Sequence, residues 1–159
     1  MSGDVLTNAR RPGWETLAHH KRLVASPEYG PFVEEISAFA SLSRIHAPLT
    51  VPSGAAVVEW VSFTLAPDTD RVGFVGRARV LEDELRGARG FHGVSSAGVI
   101  ENESAVVALV GWDSVQAHED WKKGQHPDVT KRLLDVFQGK DVANASVWHV
   151  VVDGEAGPV

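Results

Sequence analysis

The sequence contains no cysteine, which removes disulfides, thiolate nucleophiles and cysteine-ligated zinc or iron–sulfur centres in one step. No apolar run reaches the length of a membrane span, and Met1-Ser2-Gly3-Asp4 lacks the basic stretch and apolar core of a secretory signal. A basic excess is missing too, since 21 acidic residues against 15 Lys and Arg give a formal net charge of -6. That balance argues against phosphate backbones and anionic lipid surfaces, so neither nucleic acid nor membrane is expected as a partner. Gly73-Phe74-Val75-Gly76 falls inside a helix-like pattern and matches no nucleotide loop, and no Gly-x-Ser-x-Gly elbow occurs. His19-His20 is the one adjacent histidine pair, and without carboxylates at ligand spacing no metal is expected. What is present is ordinary for a globular chain: 159 residues, 43% hydrophobic and 23% charged. That suffices for one well-buried domain, alone or with a partial second unit. A cytoplasmic protein is the expectation.

The most informative stretch is Gly111-Trp112-Asp113-Ser114-Val115-Gln116-Ala117-His118-Glu119-Asp120-Trp121. It closes the apolar run 105–110, which has the length and branching of a buried strand. Asp113 or Ser114 then offers an N-cap oxygen to a helix on which His118 and Trp121 share a face. Along the whole chain, residues 1–13 read as a lead-in, and helical patterns follow from Trp14 and around Pro31. Residues 43–47 read as a strand and 52–54 as a linker. Strands are then expected over 55–65, 91–100, 104–112 and 145–152. A helix capped near Asp70 and running to about Arg89, and a broken helix from Asp113 to about Gln138, separate them.

From Ala55 the order is β-α-β-β-α-β, the ferredoxin-like arrangement of an α+β fold, with two helices on one face of an antiparallel sheet. Val57, Val61, Val106, Val110, Val147 and Val151 leave few polar positions for a solvated second face. Such strands call for another layer, most simply a second sheet, which is an argument for association.

The chain also echoes itself. Trp14-Glu15-Thr16-Leu17 matches Trp112-Asp113-Ser114-Val115, and His20 falls on His118. Pro27-Glu28-Tyr29 then matches Pro127-Asp128-Val129, and Ser43-Arg44-Ile45-His46 matches Ser146-Val147-Trp148-His149. Three ordered matches on corresponding elements read as an internal repeat. The expected organisation is a partial repeat unit over 1–52, a complete ferredoxin-like domain over 53–153 and a flexible tail over 154–159.

The Gly-Trp-Asp-Ser-Val-x-x-His run after a hairpin strand resembles the antibiotic-biosynthesis-monooxygenase-like proteins of the dimeric α+β barrel superfamily. Ser26-Pro27-Glu28-Tyr29-Gly30-Pro31-Phe32 is similar to the same helix in tandem members, here with half of the first unit absent. The resemblance covers most of residues 14–152. It implies face-to-face sheets in a dimeric α+β barrel, a homodimer of the complete unit given the incomplete first one, and a small-molecule enzyme that needs no cofactor. Such an enzyme would oxygenate or cyclise an aromatic or polyketide-like substrate. A non-catalytic, ligand-binding or stress-associated barrel is the alternative, and a haem-binding or haem-degrading relative is a third.

His118 and His92 are the candidate catalytic residues, because an imidazole moves protons near neutral pH. The structural alternative is a ring that bonds a neighbouring strand end for His118 and a strand-end residue half in solvent for His92, and the equivalence of His149 with His46 favours packing or an interface for that pair. Trp60, Phe91, Trp112 and Trp121 are the candidate substrate-binding residues, aromatic walls suited to a small aromatic or apolar ligand. Glu59 sits in an otherwise apolar strand, where it is either a buried base with a raised pKa or a rim residue in water. Haem-degrading relatives carry a tryptophan at the spacing of Trp112 to Trp121. Their axial histidine has no match here, since its position falls near Lys131 and His126 lies in a helix break.

Overall fold

The computed structural model describes residues 5–6, 16–38, 45–124, 129, 131–132, 135–136 and 139–152. Trp14, Ser43, Arg44, His126, Pro127, Asp128 and the tail 154–159 lie outside the described residues. The chain forms two compact units, residues 11–46 and residues 1–10 with 47–159. The smaller holds helices α1 (Leu17–Val24) and α2 (Tyr29–Ser37).

The larger unit contains β1 (Val5–Leu6), β2 (Val57–Leu65), α3 (Arg71–Leu85), β3 (Phe91–Gly98), β4 (Ala105–Trp112), α4 (Val115–Lys123) and β5 (Val142–Val151). Its sheet runs β1-β5-β2-β4-β3. The four strands from β5 to β3 pair antiparallel. With α3 and α4 as crossovers, this is the expected ferredoxin-like α+β arrangement.

Local chemistry accounts for the element ends. The Asp70 side chain accepts from the Val72 N–H and starts α3; the Ser114 hydroxyl accepts from the Ala117 N–H at 3.1 Å and starts α4. Between β3 and β4 the Asn102 side chain accepts from both the N–H and the hydroxyl of Ser104 and locks the hairpin turn. Gly90, at φ 81°, supplies the left-handed residue that swings the chain into β3.

Three expectations change. Val5–Leu6, read as lead-in, pairs parallel with His149–Val150 along the outer edge of β5. Ile45 to Ala47, read as part of a strand, have no regular structure. α3 stops at Leu85, ahead of Gly87 and Gly90.

Alternation along β2 divides the core. Val61, Phe63 and Leu65 pack with Phe74 of α3, Val106 and Ala108, while Val110 and Trp112 of β4 pack with Leu85. Val58 of β2 faces the other way, with Val107, Leu109 and Val99. There Leu49, Val51 and Ala55 of the same chain supply part of the second layer that the two-sided apolar strands call for.

Candidate functional site

Parity and register bring a polar cluster into the helix-facing layer. Glu59 lies between Val57 and Val61 on β2, opposite Val110 of β4 and His149 of β5. The Ser114 cap sets the phase of α4 so that His118 turns inward, where it is 5% exposed. Nδ1 of His118 lies 2.8 Å from Nε2 of His149, and its Nε2 lies 3.5 Å from Oε2 of Glu59. The indole N–H of Trp112 donates to the same carboxylate oxygen at 3.4 Å.

Aromatic rings enclose the cluster. Trp112 stacks on His118 at 5.0 Å between centroids and 25° between planes, and His118 stacks on Trp121 at 6.2 Å and 24°. Phe91 meets Trp112 edge-on at 5.7 Å. The site residues read from sequence on this side of the sheet, His118, Trp112, Trp121 and Phe91, are therefore together.

Removal from water shapes the electrostatics. Burial pushes the Glu59 carboxyl up to about 7, against the Trp112 hydrogen bond and the charge of Lys122, which both pull it down. Burial also lowers His118 to about 4, with His149 and Lys122 acting in the same direction. His149 is lowered too, again chiefly by burial. Near neutral pH the cluster thus holds two uncharged imidazoles beside a carboxyl in the middle of its titration.

His92 and Trp60 are elsewhere. The register slips between Phe91 and Gly93, so His92 is the extra residue of a β-bulge. Its Nε2 lies 2.6 Å from Oδ1 of Asp113, and the ring is next to Gly54, away from His118. Trp60 packs on the opposite face, paired in register with Trp148.

Outside the cluster, an open groove of about 680 Å³ runs between the end of α3 and α4. Trp121, Gln116 and Ala117 form one wall and Ala88 part of the other, with Glu84 and Arg89 adding charge. Trp121 lines the groove and also stacks on His118, whereas His118 does not reach the groove surface.

Sequence reasoning missed His149 as the partner of His118. The available signal was parity: Glu59 and His149 are polar residues in apolar strands, and pairing them in register puts both under α4. In the smaller unit the same atoms meet, Nδ1 of His20 with Nε2 of His46 at 2.5 Å. Ring centroids there are 4.8 Å apart, against 5.1 Å for His118 and His149.

No family model matches the chain, and no curated protein matches it. Solved structures do. An anthrone oxidase-like protein superimposes with a TM-score of 0.64 at 13% identity over 86% of this chain and 67% of its own. A mutant form of SnoaB, a cofactor-independent oxygenase from Streptomyces nogalater, gives 0.53 at 12% identity over 65% of this chain and 100% of its own. Rv0793 of Mycobacterium tuberculosis gives 0.51 at 16% identity over 64% and 98%. Of a Lactobacillus acidophilus NCFM protein described as a monooxygenase the chain spans 66%, and of the anthrone oxidase-like protein 67%. At these identities the likeness is one of fold. This chain has the ferredoxin-like α+β fold of these structures.

Proposed function

We propose that the protein is a cofactor-independent enzyme of the monooxygenase or cyclase type, acting in the cytoplasm on a small aromatic or polyketide-like substrate. The observation that carries this reading is the double position of Trp121, a wall of the groove and a stacking partner of buried His118. A flat ligand against that indole lies one ring away from a water-excluded acid–base cluster. Taking a proton from a phenol or enol makes the ring electron-rich, so the substrate itself reduces dioxygen. The names of the anthrone oxidase-like protein and of SnoaB agree with such chemistry.

A thermal-shift and oxygen-uptake series with hydroquinones and anthrones tests the reading. The native chain is expected to be stabilised by one of these compounds and to consume oxygen with it. Trp121→Ala should weaken that binding by about tenfold or more, roughly 1.4 kcal/mol. If no compound shifts the native chain, the reading falls.

One observation favours a non-catalytic ligand-binding barrel instead: His118 faces His149 and Glu59 rather than the groove. Stabilisation by a ligand without oxygen uptake would select that alternative. We also infer a homodimer, supported by the half-buried Trp60 and Trp148 on the face away from the helices. An internal repeat, in which α1 corresponds to α4, is supported by matching caps and the two histidine pairs. Thr16 accepts from the His19 N–H as Ser114 does from the Ala117 N–H, each three residues on.

A further inference from the structure

A neutral imidazole has one N–H and one lone pair, so a ring between two polar partners donates to one and accepts from the other. His118 is such a ring. When Glu59 is ionised, Nε2–H of His118 points to the carboxylate, and Nδ1 accepts from Nε2–H of His149 across 2.8 Å. Nδ1 of His149 is then a bare lone pair. That atom is buried with no hydrogen-bond partner among the described residues, on a side chain 5% exposed. When Glu59 is protonated the order reverses along the row, and Nδ1 of His149 becomes an N–H.

We propose that Glu59, His118 and His149 form a proton relay, in which Nδ1 of His149 takes a proton from a hydroxyl donor and Glu59 stores it. The O–H bond of a water molecule, the one hydroxyl donor small enough for this buried atom, breaks as an N–H bond forms at Nδ1. Nε2–H of His149 passes to Nδ1 of His118, and Nε2–H of His118 passes to the Glu59 carboxylate. No electrons are exchanged: the donor leaves as its oxyanion and the cluster goes from one negative charge to none. His149 is therefore the terminal base, and His118, the leading candidate from sequence, is the middle member. At 3.5 Å the Glu59 contact is longer than a working hydrogen bond, so transfer there needs the carboxyl to close by about half an ångström.

The charged groups around the relay largely offset one another. Trp112 of β4 donates to Glu59, and α4 contributes Glu119 and Lys122, which act on the cluster with opposite signs. Those two are themselves paired at 2.9 Å. The raised carboxyl is what lets the store fill and empty near neutral pH. The use of the relay in oxygenation rests on the proposed function, but its existence does not.

Ring-nitrogen NMR of the full chain carrying ¹⁵N-histidine, followed from about pH 5.5 to 8.5, reads the relay directly. His118 and His149 are expected to exchange their protonated nitrogens together, at one midpoint. E59Q is expected to hold both rings in a single tautomer throughout. Rings that keep one tautomer in the native chain, that titrate at separate midpoints, or that switch unchanged in E59Q overturn the proposal. Should E59Q fail to fold, carboxyl-¹³C glutamate in the native chain decides. Glu59 must move with the rings, and a Glu59 that titrates apart from them refutes the relay. No substrate enters these measurements. Absent ligand binding thus removes the oxygenase reading and leaves the relay, while static rings remove the relay and leave the oxygenase reading.

Discussion

Glu59 holds its proton to a higher pH than a free carboxyl because β2 carries it into an apolar layer. The unfolded chain releases that proton near the ordinary 4.5, the folded chain near 7. The folded state therefore binds more protons between these values. The Glu59 contribution to stability is whole below about pH 4.5 and is lost as pH rises through about 7. His118 runs the other way. Lowered from 6.5 to about 4, it contributes fully above about pH 6.5, and that contribution is lost as pH falls towards 4. Glu59→Gln removes the first effect and leaves the second. The variant is expected to be more stable than the parent at pH 8, by at most about 3 kcal/mol. On acidification below pH 6.5 it should lose stability more steeply than the parent. Urea unfolding at pH 5, 6.5 and 8 measures both differences, and parallel profiles for the two proteins would contradict the assignment. The raised carboxyl was legible in outline, because a lone Glu in a valine-rich strand is either buried or at a rim. Its partnership with His149 was not. Strand register is a tertiary property, and a shift of one residue would have put His149 on the other face.

At the level of elements, the seating of α4 depends on one hydroxyl. Ser114→Ala removes the acceptor for the Ala117 N–H and should cost about 1 kcal/mol, read as a fall in Tm. Because α4 carries Trp121, tryptophan emission should shift along with the loss; an unchanged Tm would mean that packing alone holds the helix. β4 offers a second test at Gly111. A Cβ there would come within 2.6 Å of the Pro52 Cβ, 2.9 Å of the Ala55 Cβ and 3.1 Å of the His92 Cβ. Gly111→Ala should therefore displace the segment ahead of β2 and destabilise by about 1–3 kcal/mol in denaturant titration. The caps at Asp70 and Ser114 could be read from residue type and spacing, since capping is a local interaction. The close approach at Gly111 could not, because Pro52 and Ala55 reach it through space.

For the molecule as a whole, the outer edge of β5 matters most. Unpaired strand edges recruit other chains, and β1 covers this one with a short parallel pairing. Deleting residues 1–10 should leave the β5 edge open and move the protein to larger species in sizing experiments. An unchanged elution volume would show that β1 is dispensable. Residues 1–13 read as lead-in because a two-residue strand carries no periodicity, and only its pairing with β5 reveals it.

From residue patterns alone came the order of elements from β2 to β5 and the shared helix face of His118 and Trp121. Each depends on patterns only a few residues long: alternation in strands, an apolar stripe on a helix, an oxygen at a cap. Tertiary structure decided the partnerships. Register put Glu59 opposite His149, crossover packing laid His118 over both, and the β3 bulge turned His92 towards Asp113. Those contacts join residues distant in sequence, and their energies come from burial and mutual orientation. The stretch around Trp112 put His118 and Trp121 on one helix face, but only the fold turned that face to the sheet and joined His118 to His149.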